Sequence, residues 1–306
     1  MREALDIRGR TGALPFAGGT DLMVRRRGYT GTLPDVPPPV LFLDNIGELR
    51  ALVVEDSNLR IGAGVTMDGL LAHPAVPELL RRALAELAAP AIRNRATLGG
   101  NICNASPAAD SLPPLYVHRA AVVLMSRTGE RCLPIDEFIL GPGKTVLRPD
   151  ELLTEIVVPA LPADVDHDSG DHRPKETAGV RLYYRKVGTR KANALSKLSA
   201  AGFVRVDRLA ADSTKSDPTA VIGEFRFALG AVAPVVVRLD DVGRILNGRP
   251  VEELSEPETP WGVAEIVSRL IHPIGDQRSS AFYRREVAMN CCSEFLKQIL
   301  EDPCWT

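Results

Sequence analysis

Cysteine is scarce in this 306-residue chain, with only Cys103, Cys132, Cys291, Cys292 and Cys304. None is spaced Cys-x-x-Cys, and the adjacent Cys291 and Cys292 are a poor disulfide pair. The pattern argues against a disulfide scaffold and for a reduced, cytoplasmic protein. It also argues against an iron–sulfur cluster held by this chain, which would need about four well-placed thiolates. Long apolar runs are missing as well. None approaches the roughly 20 residues that span a bilayer, and residues 1–12 have no apolar signal-peptide core. No membrane partner is therefore expected. An excess of one charge is also lacking. A net charge of −2 at pH 7 gives no electrostatic reason to expect nucleic acid. The Rossmann fingerprint Gly-x-Gly-x-x-Gly does not occur.

What is present is an ordinary globular balance, 45% hydrophobic and 25% charged, over a length that suits two domains. Short apolar runs at residues 14–17, 40–43, 59–61, 120–125 and 152–158 read as strands. Residues 78–87 read as a helix with Leu80, Ala83, Leu84 and Leu87 on one face and Pro90 as its stop. Residues 163–177 hold four aspartates, two histidines, Gly170 and Pro174, and read as a polar linker that contains the domain boundary. Beyond it, Phe225, Phe227 and Leu229 alternate as in a half-buried strand. Residues 260–271 and 279–300 read as helices, the second with Ser279 or Ser280 as N-cap.

Two glycine segments carry the chemistry. The first runs Phe16-Ala17-Gly18-Gly19-Thr20-Asp21-Leu22-Met23. A strand enters two glycines, and Thr20 and Asp21 are placed to cap a following turn. Glycines permit positive φ and leave no Cβ in a ligand's way. Successive N–H groups can then converge on a phosphate or diphosphate. On this segment alone, a tight turn that binds nothing explains the residues equally well. The second segment runs from Ile92 through Thr97, Leu98, Gly99, Gly100 and Asn101 to Asp110 and Ser111. Thr97, Asn101, Asn104 and Ser106 can hydrogen-bond a phosphate, ribose or flavin edge, and Asp110 can accept from ribose hydroxyls. The plain alternative is a loop whose Asn and Ser groups satisfy local backbone.

Together, in this order, the segments resemble the FAD-binding medium subunits of the molybdenum hydroxylase family, the xanthine dehydrogenase and carbon monoxide dehydrogenase type. Ala-Gly-Gly-Thr-Asp-Leu at 17–22 looks like the family's first FAD loop. Ile-Arg-Asn-Arg-Ala-Thr-Leu-Gly-Gly-Asn-Ile at 92–102, with Ala-Ser-Pro-Ala-Ala-Asp-Ser at 105–111, looks like the second. The resemblance continues through residues 138–145, 150–153, 183–192 and 282–285, nearly the whole chain.

The resemblance implies an α+β chain. Residues 1–162 would form a two-subdomain FAD-binding fold of the vanillyl-alcohol-oxidase type, and 163–177 the linker. Residues 178–306 would form a smaller α+β domain. Phe16, Ala17, Gly18, Gly19, Thr20, Asp21, Leu22 and Met23 would wrap the diphosphate. Thr97, Leu98, Gly99, Gly100 and Asn101 would hold the phosphate and ribitol region, and Asp110 a ribose. Leu87 and Leu153 would lie against the cofactor, and Lys186 would reach it from past the linker. FAD would be this chain's only cofactor. Molybdopterin would sit in a large partner subunit and [2Fe–2S] clusters in a small one, with NAD or another acceptor taking the electrons. No catalytic acid or base and no metal ligand is assigned in this chain. Residues 1–12 are shorter than the strand and helix that precede the first diglycine in relatives, which leaves the packing of the first subdomain open.

Two other readings compete: a stand-alone FAD-dependent oxidoreductase, and an assembly or binding factor without flavin. The first would need its own acid/base group, and the sequence offers no His, Tyr or Asp constellation for one; the second would show as protein that takes up no flavin. Gly141-Pro142-Gly143-Lys144-Thr145 echoes a phosphate-binding loop, but Phe138 stands where the pattern needs glycine. His167 and His172 lack zinc-site spacing and read as solvated linker. Cys103 reads as a small buried filler. Arg25, Arg26 and Arg27 read as surface, or as a face toward a partner chain.

Overall fold

The structure, a computed structural model, describes residues 1–28, 32, 34–161, 177–190, 193–209 and 219–305. The expected linker lies outside the described residues, apart from the backbone of Thr177. So do His167, His172 and Lys191.

The first core is built on a five-stranded antiparallel sheet. Its central strand, Leu152–Pro159, pairs with Asn58–Gly62 on one side and Ala121–Met125 on the other. Leu52–Glu55 and Glu130–Pro134 complete the edges. Leu153, Ile156 and Val158 face one way into a core shared with Leu80, Leu84, Leu98, Ile102 and Leu115. The helices Glu78–Glu86, Leu98–Asn104 and Leu112–Val117 supply that cover. Every residue of Leu112–Val117 is buried, because this short helix has apolar neighbours on all sides.

A four-stranded antiparallel sheet follows: Thr177–Val187, Leu198–Leu209, Thr219–Gly230 and Val237–Arg238, in that order. Its side chains alternate between two cores, as the two-residue period of a strand requires. Ala201 and Phe203 join the first core. Ala200, Val204 and Val206 turn to the second, with Phe225, Phe227, Leu229 and the helices Glu258–Leu270 and Ala281–Leu300. Phe295 packs against Tyr183, Phe225 and Phe227 with ring centroids 5.3–5.8 Å apart. Gly202 makes room for this cluster, since a Cβ there would lie 2.8 Å from the Phe227 and Phe295 rings. Burying each such ring contributes about 1.5–3 kcal/mol.

Several elements differ from the sequence reading. Residues 1–12 supply a full helix, Arg2–Thr11, closed by Gly12 in the left-handed region. Ala4 and Leu5 from that helix form a small core with Ala13, Leu41 and Leu152. The helix from Glu78 ends at Glu86, before Pro90. Leu87 is extended and Ala88 takes φ 47°, so the chain has already left the helix. Pro90 instead opens the next helix, Pro90–Arg93, where its missing N–H is harmless. The second diglycine is no bend. It lies in the first turn of Leu98–Asn104. Ser280, not Ser279, caps the last helix, accepting from the Tyr283 N–H at 3.1 Å.

Candidate functional site

The first glycine segment leaves the strand Leu14–Phe16, which pairs in parallel with Val40–Phe42. Gly19 takes φ 72°, and a Cβ there would lie 2.5 Å from the Phe16 ring. Phe16 in turn packs against Phe42, the rings tilted by 51° with centroids 5.1 Å apart. Gly18 needs glycine for a different reason. It presses on the Arg95 carbonyl, leaving no space for a Cβ. The two glycine segments are therefore in direct backbone contact. Asn104 Nδ2 donates to Asp21 Oδ2 at 3.1 Å and adds a second tie.

The two segments differ in what they offer. Thr97 Oγ1 accepts from Gly100 N, and Leu98 N and Gly99 N donate to the Val65 and Ala63 carbonyls. Asn101 N donates to Thr97 O. The amides of the second segment are thus already engaged, and Gly99 serves close packing, with a Cβ only 2.5 Å from Ala63 Cβ. The amides of Gly18, Gly19, Thr20 and Asp21 have no acceptor among the described residues. An unpaired run of N–H groups is exceptional in a folded chain unless water or a ligand receives it.

These amides line a cleft of about 310 Å³ between the N-terminal elements and the five-stranded sheet. Ala17, Leu22, Thr97, Gly99, Gly100, Asn101 and Leu153 of the expected residues also line it. Asn101 is oriented by Ser111, whose hydroxyl donates to Asn101 Oδ1 at 2.6 Å. Cys103 is on the wall too. Desolvation pushes its thiol up to about 12, which disfavours the thiolate. The larger depression, about 1210 Å³, lies by the N-terminal helix. Its charged groups include Arg60–Glu155 and Arg127–Asp6, which answer one another, so the chemistry points to the smaller cleft.

Six expected residues are not on the cleft lining. Phe16 supports Gly19 from behind, and Met23 is 39% exposed. Leu87 and Leu98 are in the first core. Asp110 and Lys186, expected at a ribose and at the cofactor, are paired with each other at 2.8 Å, both nearly fully buried. Lys186 Nζ also donates to the Glu86 carbonyl at 2.7 Å, and Ser196 donates to Asp110. Burial pushes the Asp110 carboxyl up, against the opposing pull of Lys186. The pair ties the four-stranded sheet to the first core. Tyr184, two residues from Lys186, has a buried hydroxyl without a hydrogen-bond partner among the described residues, and burial raises its pKa.

Arg8, Leu14, Pro15, Leu49, Ala63 and Leu152 line the cleft unforeseen. No local signal marks them, because tertiary packing alone brings them there. Among the described residues no group of three or more potential metal ligands occurs. Nor is any helix long and apolar enough to cross a membrane.

Comparison with known proteins gives the family. Residues 1–161 match the family described as FAD binding domain in molybdopterin dehydrogenase. Residues 183–299 match the CO dehydrogenase flavoprotein C-terminal domain. The chain is 29% identical to the xanthine dehydrogenase FAD-binding subunit of Escherichia coli O157:H7, over 88% of this chain and 82% of that protein. It is 28% identical to the carbon monoxide dehydrogenase medium chain of Hydrogenophaga pseudoflava, over 82% and 78% respectively. A solved structure of carbon monoxide dehydrogenase from Hydrogenophaga pseudoflava, lacking the Mo-pyranopterin moiety, superposes with a TM-score of 0.77. There the identity is 26%, and 95% of this chain and 91% of that one are covered.

Proposed function

This chain belongs to the family of FAD-binding subunits of molybdopterin dehydrogenases, and from that membership we propose that it is the flavoprotein electron carrier of a molybdenum hydroxylase complex. In this reading it receives electrons from [2Fe–2S] clusters of a small partner subunit and delivers them to NAD or another acceptor. A large molybdopterin-binding partner hydroxylates the organic substrate. FAD, when bound, supplies the capacity to accept and release electrons.

One observation carries the reading: the four successive amides of Gly18 to Asp21 have no acceptor among the described residues, and these residues line a cleft that the second glycine segment also lines. Such a row suits the diphosphate of a dinucleotide. Thr97, Gly99, Gly100 and Asn101 would shape the wall beside it, and Leu153 would give an apolar contact. Leu98 would hold that wall from the core. Asp110 and Lys186 would act by fixing the sheet against the first core. The protein's work is to bind, orient and shield. In this reading no described side chain of the cleft is assigned a role as general acid or base.

Equilibrium titration of flavin-free protein with FAD tests the binding step, and co-purification tests the complex. The expected result is stoichiometric flavin with visible absorbance, and partner chains carrying molybdopterin and [2Fe–2S] clusters. Turnover of an organic substrate by this chain alone would overturn the subunit assignment.

A further inference from the structure

Arg8 lines the same cleft as the Gly18–Asp21 amides, yet it comes from the helix Arg2–Thr11, outside both glycine segments. Its guanidinium is fixed by three carbonyls. Nη1 donates to Gly12 O at 3.1 Å and Ala13 O at 2.6 Å, and Nε donates to Glu151 O at 3.4 Å. A guanidinium has five N–H donors, two of them on Nη2. Nη2 has no acceptor among the described residues. No carboxylate lies within ion-pair distance of Arg8 among those residues either.

Capping three carbonyls requires donors only. A neutral side chain could do that without the cost of desolvating a charge. Burial does disfavour the charged form here, with only the more distant Asp150 opposing it. A half-buried cation whose Nη2 has no acceptor among the described residues, on the same cleft as the Gly18–Asp21 loop, is suited to an anion. Asp21 is the acidic residue on the cleft lining, and its carboxylate is engaged by Asn104.

We propose that Arg8 is a diphosphate-binding residue, with Nη2 donating to a cofactor phosphate oxygen opposite the Gly18–Asp21 amides. The inference rests on the flavin reading above. Arginine is suited to the task because its planar fork is already oriented and its charge does not titrate away.

The test is equilibrium titration of flavin-free wild-type, Arg8→Met and Arg8→Lys chains with FAD, at low and at high salt. Arg8→Met should weaken FAD about tenfold or more at low salt. The ratio to wild type should shrink as salt screens the charge. Arg8→Lys keeps a cation able to reach the Gly12 and Ala13 carbonyls and should show a smaller loss, with FAD binding as salt-sensitive as in wild type. It decides the matter if Arg8→Met does not fold. FAD affinities of the folded variants within twofold of wild type, or an Arg8→Met loss independent of salt, would overturn the role of Arg8. Wild-type protein that takes up no FAD would instead defeat the flavin reading, and this inference with it.

Discussion

Asn104 donates to the Asp21 carboxylate across 83 residues of sequence, and this 3.1 Å bond joins the two glycine segments at the rim of the cleft. Asp21 belongs to the loop with free amides, and Asn104 ends the helix whose amides are already engaged. The bond therefore ties the first glycine loop to the end of the helix Leu98–Asn104.

Loss of this tie should loosen the loop without unfolding the chain. Asn104→Leu removes a partly exposed hydrogen bond to a charged group, worth about 1 kcal/mol. FAD affinity should fall about fivefold, with the melting temperature within a few degrees of wild type. Fluorescence titration together with thermal melting would check both.

Gly18 is the stricter of the two glycines. Gly18→Ala drives a methyl into the Arg95 carbonyl, so even this smallest change should abolish flavin retention. Gly143 offers the matching control. Its φ is 68° but nothing lies near a Cβ there, so Gly143→Ala should cost only about 1 kcal/mol of stability and leave flavin in place. The visible flavin bands of the purified variants report the outcome.

The buried Asp110–Lys186 pair makes an asymmetric prediction. Lys186→Met leaves a desolvated carboxylate alone and should destabilise by about 3–5 kcal/mol. The double variant Asp110→Asn with Lys186→Met should recover much of that loss, because the uncompensated charge is gone. Urea unfolding of the single and double variants measures the difference. Equal stability of the two would show that the charge is not the cause.

Acid should weaken the chain partly through Glu151. Arg131 donates to both its carboxylate oxygens, at 2.7 and 2.8 Å, and holds its pKa below the ordinary carboxylate range. A folded pKa below the unfolded one gives stability that is present above the unfolded value, about pH 4.3 for Glu. That stability is lost as the pH falls through the folded value. Unfolding free energies measured from neutral pH downward should therefore drop less steeply below about pH 4.3 in Glu151→Gln than in wild type.

The glycine segments were legible as chemistry because their signal is local. Diglycine after a short strand, and Thr-Leu-Gly-Gly-Asn before small and polar residues, are patterns a reader can see. What each glycine does was not legible. Positive φ at Gly19 follows from the turn, but the need at Gly18 arises from Arg95 and at Gly99 from Ala63, each distant in sequence. Arg8 gave no sign at all, since its helix is polar and its place on the cleft depends on strand pairing far along the chain.

The amino-acid sequence by itself determined the α+β class, the two glycine segments, the positions of several strands and helices, and the family, because periodicity, capping and loop composition act over a few residues. Only the tertiary structure decided which amides stay free and which are consumed, that Asp110 faces Lys186, and that Arg8 joins the cleft. Those outcomes depend on which distant carbonyl or carboxylate arrives within about 3 Å, and hydrogen bonds and ion pairs at that range are fixed by packing.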